Sequence, residues 1–178
     1  RALLKLGRTL RLYPFQRVDI KYTNNPSDLV FPGYPWALRE VFTARDRYIN
    51  YKTARQFASN GGLAIVDRFP LSQIKFMDGP QLSRMTKGIS QNRLIKFLIK
   101  KEEKYYMKIS PPDLLIVLRA DPEIAVQRKI DEKPEEVRAR STEIWEINWK
   151  EPSAFVIDAN LPKEAVLSEI KRLIWSNL

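Results

Sequence analysis

Two kinds of apolar pattern alternate along this chain. Long stretches carry apolar residues at helical spacing, and short dense apolar runs lie between them. Leu3, Leu4, Leu6, Leu10 and Leu12 predict a short amphipathic helix. The stretch from Tyr22 to Tyr34 then collects Asn24, Asn25, Pro26, Ser27, Asp28, Pro32 and Gly33. Turn-forming residues at that density predict a loop, so residues 1–34 read as an irregular N-terminal segment. A long helix is expected from about Pro35 to Asn60, with Leu38, Val41, Phe42, Arg45, Tyr48 and Ile49 on its core stripe. Gly61-Gly62 should stop it, because glycine enters the left-handed conformation of a helix C-terminus without a Cβ penalty.

Leu63-Ala64-Ile65-Val66 is a dense apolar run ending in Asp67-Arg68, and it predicts a buried strand. A second helix pattern runs from Ser90 to about Tyr106 through Leu94, Ile95, Phe97, Leu98 and Ile99, and Pro111-Pro112 breaks it. Leu114 to Leu118 gives the clearest buried strand, after which Asp121-Pro122 should open a helix as N-cap and N1. A third strand is expected at Phe155-Val156-Ile157, ending at Asp158. Asn160 would cap a last helix whose core face is Val166, Leu167, Ile170, Leu173 and Ile174. This alternation predicts an α/β fold, a three-layer parallel sheet with helices on both faces, in one domain spanning 1–178. Ligands of such sheets bind beyond the carboxyl ends of the strands. Asp67, Arg68, Asp121 and Asp158 all fall there.

Composition narrows the chemistry. The 178 residues contain no cysteine and no histidine. That excludes disulfides, zinc–thiolate sites and any mechanism with His as base or Cys as nucleophile. Asp, Glu, Arg, Lys and Tyr must carry whatever chemistry there is. No apolar run reaches the ~18 residues of a membrane span, so no span is expected, and the lack of cysteine is compatible with the cytoplasmic location that is the expectation. The 31 Lys and Arg against 21 Asp and Glu give a net charge of +10. This favours anionic partners, although a solvated basic surface explains it equally well.

Three charged features stand out, each with a bland alternative. Asp67-Arg68-Phe69 could hold a phosphate or a metal-bound water, or could merely cap a strand. In Arg45-Asp46-Arg47 a guanidinium could reach an acceptor phosphate, or pair with neighbours on the helix surface. The segment 128–150 begins with Arg128 and continues through Asp131, Glu132, Lys133, Pro134, Glu135, Glu136, Arg138 and Arg140. It could be an arginine-bearing lid or a solvated helical face. Tyr105, Tyr106, Trp145 and Trp149 beside basic residues leave nucleic-acid binding as the weaker reading, since helix packing also explains them.

Taken together, Gly61 to Pro70, the run Pro112 to Leu118 with Asp121-Pro122-Glu123 and Arg128, and Phe155 to Ala159 with the closing helix resemble the thymidylate kinase family. The likeness covers roughly Trp36 to the C-terminus. It implies a P-loop nucleoside monophosphate kinase fold and transfer of the ATP γ-phosphate to a nucleoside monophosphate with Mg2+, a step in nucleotide biosynthesis. Asp67 and Arg68 would act on the acceptor phosphate, with Asp67 also reaching the metal through water. Arg47 would bind the acceptor phosphate, with Arg45 as the offset alternative and Phe69 where the family has Tyr. Arg128 would stand at the base of the lid, Arg138 or Arg140 would be the lid arginine, and Asp158-Ala159 would lie near the adenine. Members are often dimeric, so a homodimer is a further expectation.

The chain also departs from the family. No Gly-x-x-x-x-Gly-Lys-Ser/Thr occurs in it, and Met77-Asp78-Gly79-Pro80 stands where a base-recognition segment is common. The resemblance would put the first strand and phosphate loop before Arg1, so this stretch by itself is expected to lack kinase activity. It could instead be a catalytically inactive nucleotide-binding or regulatory module.

Overall fold

The structure is a computed structural model and describes residues 29–87, 92–150 and 154–178. The expected helix at Leu3–Leu12 lies outside these residues. The chain divides into two compact units, Arg1–Ser110 and Pro111–Leu178. Six helices and two strands are described: α1 (Tyr34–Ser59), α2 (Leu82–Met85), α3 (Arg93–Tyr106), β1 (Ile116–Arg119), α4 (Pro122–Arg128), α5 (Pro134–Glu146), β2 (Phe155–Asp158) and α6 (Lys163–Ser176).

In the first unit, α1 packs on α3, and α2 also packs on α3. The core gathers Trp36, Ala37, Leu82, Met85 and Leu98, with Leu29, Phe31, Val41 and Ile99 against it. The core stripe of α1 is one position off the expected one. Ala37 and Ala44 are fully buried, whereas Leu38, Phe42 and Ile49 are about half exposed and Arg45 is exposed. Alanine lets the backbone of one helix approach another, and here that close approach decides which stripe turns inward. The N-cap of α3 is Asn92, whose side chain accepts from the Ile95 N–H at 3.0 Å.

The end of α1 is as expected. Gly61 donates to the Ala58 carbonyl at 3.0 Å and Gly62 to the Phe57 carbonyl at 3.1 Å, the paired bonds of a Schellman motif. Gly61 has φ 85°. A Cβ on Gly62 would lie 2.2 Å from the Phe57 ring. Gly61→Ala should therefore cost the first unit about 1 kcal/mol, read as a lower midpoint in urea with an unchanged slope.

The expected strand at Leu63–Val66 does not form. Leu63, Ile65 and Val66 are 51%, 77% and 53% exposed, and the segment carries no ladder bonds. Four apolar residues become a strand only beside a partner strand, and none of the described residues supplies one. Asp67 and Arg68 accordingly sit in an exposed loop rather than at a strand end.

In the second unit, β1 and β2 pair in parallel, in the register Ile116↔Phe155 to Arg119↔Asp158. A parallel pair requires a long crossover, and α4 and α5, packed on each other, provide it. α6 covers the pair through Val166 and Leu173 against Ile157, with Ile116 and Ile170 alongside. Leu167, expected in this core, is 43% exposed. The described residues thus form a mixed α/β structure that is mostly helical, with a small two-stranded parallel sheet. No described helix is long and apolar enough to cross a membrane.

Candidate functional site

On the first unit, charged side chains converge between α1, the 71–80 loop and α3. Arg47 lies one turn from buried Ala44, so its guanidinium points inward. It donates to the Tyr106 hydroxyl at 2.6 Å and forms an ion pair with Asp78. Burial pushes the Tyr106 phenol up to about 12, despite the nearby Arg47. The hydroxyl therefore keeps its proton while it accepts from Arg47. The Arg47 side chain is only 28% exposed and that of Asp78 32%. Arg45, the alternative phosphate ligand, faces solvent and takes no part in this cluster.

The loop that carries Asp78 is organised from below. The buried Gln81 amide donates to the carbonyls of Lys75 at 3.1 Å and Met77 at 3.2 Å. The Gln81 and Leu82 backbone N–H groups each donate to a different oxygen of Glu102, both at 2.9 Å. Glu102 is only 1% exposed. Burial pushes its carboxyl up to about 7, against the pull of the two N–H donors. Sequence reading missed Glu102 because it sits in the charge run Lys100 to Lys104. One signal was available: it lies one heptad after Ile95 and four residues after Leu98, on the inward stripe of α3.

Asp67 and Arg68 are drawn together only loosely, at 4.0 Å, with the Asp67 side chain 96% exposed. Arg68 has φ 55°, a left-handed backbone that a residue with a Cβ adopts under strain. Phe69 is half-buried beside them. Among the described residues, no three acidic side chains gather to hold a metal ion. Asp67 alone does not make a magnesium site.

On the second unit, the carboxyl ends of β1 and β2 carry a hydrogen-bonded cluster. Asp121 caps α4 as expected, accepting from the Glu123 N–H at 2.9 Å and the Ile124 N–H at 3.4 Å. Asn160 does not cap α6, whose N-cap is Pro162. Its side-chain oxygen accepts instead from the Asp121 N–H at 2.8 Å, tying the two strand ends together. Asp158 accepts from the Asn160 N–H at 2.9 Å. Arg128 donates to the carbonyls of Ala159 and of Asn160, the latter at 3.0 Å. The Ala159 N–H completes the ladder to Arg119 at 2.9 Å. Sequence reading also missed Arg119, whose guanidinium lies over the Trp145 ring, 4.6 Å from its centroid.

Helix α5 occupies most of the segment expected as a lid. Arg138 forms a two-pronged pair with Glu123 at 2.7 and 3.0 Å, which holds that carboxyl below its ordinary range. Arg140 pairs with Glu132. Two of the aromatics weighed for stacking are accounted for by packing. Trp149 is buried and donates to the Ile144 carbonyl at 3.0 Å, and Tyr105 lies against Tyr48.

The chain is similar to the uncharacterized ATP-binding protein YghR of Escherichia coli strain K12, at 28% identity over 134 residues. It is equally similar to the protein of that name from Escherichia coli O6:H1. Each match covers 72% of this chain and 51% of the relative, so the chain spans about half the length of the curated relatives it matches. No family model matches it, and no solved structure does.

Proposed function

We propose that this protein binds nucleotides and, more specifically, serves transfer of the ATP γ-phosphate to a nucleoside monophosphate, as the resemblance to thymidylate kinases implies. The observation that carries this reading is the parallel β1–β2 pair with Arg119, Asp121, Arg128, Asp158 and Asn160 gathered at its carboxyl ends. That is the edge at which open parallel sheets take their ligands. The similarity to a protein named as ATP-binding supports the same reading.

In this reading the donor nucleotide lies at that edge, near Asp158 and Ala159, with Arg128 beside it. The resemblance assigns the acceptor phosphate to Arg47 of the first unit, whose planar fork suits two phosphate oxygens. Tyr106 holds the fork in place and Phe69 borders the acceptor base. Arg138 and Arg140 would have to leave Glu123 and Glu132 to serve as lid arginines. Asp67 and Arg68 would flank the acceptor. Magnesium held by the nucleotide would neutralise phosphate charge.

Calorimetric titration with ATP and with nucleoside monophosphates, run beside a phosphotransfer assay, tests both parts of this reading. Binding supports the nucleotide site, and transfer would add the enzyme. Absence of nucleotide binding, with affinity for DNA or RNA that falls steeply with salt, would overturn both.

A further inference from the structure

We propose that Asp78 is an internal occupant of the Arg47 anion site, a tethered carboxylate that an incoming phosphate monoester must displace. The inference rests on the reading of Arg47 as the acceptor-phosphate arginine and adds a built-in competitor to it.

Three observations carry it. The Asp78 carboxylate is paired with the same guanidinium that the resemblance assigns to the acceptor phosphate. It occupies the place of an anionic oxygen, beside the Tyr106 hydroxyl that already accepts from Arg47 at 2.6 Å. Its placement is also built rather than incidental. Gln81 gathers the Lys75 and Met77 carbonyls around its amide, and Glu102 fixes the backbone at Gln81 and Leu82. The chain thus presents the carboxylate to Arg47 from a loop pinned at its base. The charge on Glu102 is set among Gln81 and Leu82 of the loop and α2, Glu103 and Tyr106 of α3, and Glu40 of α1.

A pinned carboxylate must leave the fork before another anion can take it, and the pair it forms there is half-buried and so only weakly screened by salt. Any ligand of Arg47 therefore binds more weakly than it would to a vacant fork, and removing the carboxylate's charge should recover that loss. The test is titration of the full chain with inorganic phosphate and with a nucleoside 5′-monophosphate, for wild type, Asp78→Asn, Arg47→Met and the double variant. Asp78→Asn should tighten both ligands by about tenfold, the fold-change equivalent to ~1.4 kcal/mol of displaced ion pairing, and the double variant should lose that gain.

Unchanged or weaker binding by Asp78→Asn, with Arg47→Met still impaired, overturns the competitor and leaves Arg47 as the anion site. Arg47→Met without effect in either background overturns the reading of Arg47 itself. Asp78→Ser is a second variant if Asp78→Asn folds poorly. Amide exchange on the wild type gives an independent readout: saturating phosphate should speed exchange across residues 71–80. Exchange that stays the same or slows there overturns the proposal.

Discussion

Glu102→Ala is expected to lower the stability of the first unit by about 3 kcal/mol, the largest single effect among the side chains of the site. Glu102 is 1% exposed and each of its oxygens accepts one backbone N–H. Truncation strands both donors in the interior, and a buried donor without a partner costs about 1–3 kcal/mol. Glu102→Gln keeps one amide oxygen for one donor and should cost less.

The same residue gives the stability a pH dependence with a definite sign. Its carboxyl is raised from its ordinary 4.5 to about 7, chiefly by burial. The folded protein therefore holds a proton that the unfolded chain has released in that interval. The Glu102 contribution is fully present below pH 4.5 and is lost as pH rises to about 7. A shift of this size corresponds to roughly 3 kcal/mol. Denaturant melts of wild type and Glu102→Gln across that interval should converge in slope only if this assignment fails. The expected result is a wild-type decline that the glutamine variant lacks.

Arg47→Met should weaken phosphate or monophosphate binding by about 30- to 100-fold, the size of one lost charge-assisted pair of hydrogen bonds. It also leaves Asp78 and Tyr106 without their shared partner, so a smaller loss of stability should accompany it. Arg45→Met, on the exposed face of the same helix, should change neither. Equal losses in the two variants would mean that the basic surface acts through net charge, not through a placed guanidinium.

These expectations rest partly on what the sequence made legible. The stop of α1 at Gly61-Gly62 and the start of α4 at Asp121-Pro122 were readable because cap chemistry is local. The β1–β2 pair was readable because Leu114 to Leu118 and Phe155 to Ile157 are dense in apolar, partly β-branched residues. What failed depends on distant partners. Leu63–Val66 has the composition of a strand, but among the described residues no strand lies beside it. Leu38, Phe42 and Ile49 form as good a helical stripe as Ala37, Val41 and Ala44, and only the approach of α3 selects the smaller residues. Asn160 looks like a helix cap by type, yet its oxygen is taken by Asp121, 39 residues away in sequence. At the candidate site, Arg47 could be named from the resemblance. Asp78, Tyr106 and Glu102 could be joined to it only by folding.

The exposed run Leu63–Val66 makes this chain a natural candidate for a split protein. A protease takes its substrate as an extended strand, and this run is apolar, exposed and outside any helix or strand. A cut there would leave Trp36, Ala37 and Arg47 on one fragment and Leu82, Leu98, Tyr106 and Asp78 on the other. The core and the ion pair that join them lie across the cut. The two pieces, expressed separately, should therefore find each other and reconstitute the first unit without a covalent link.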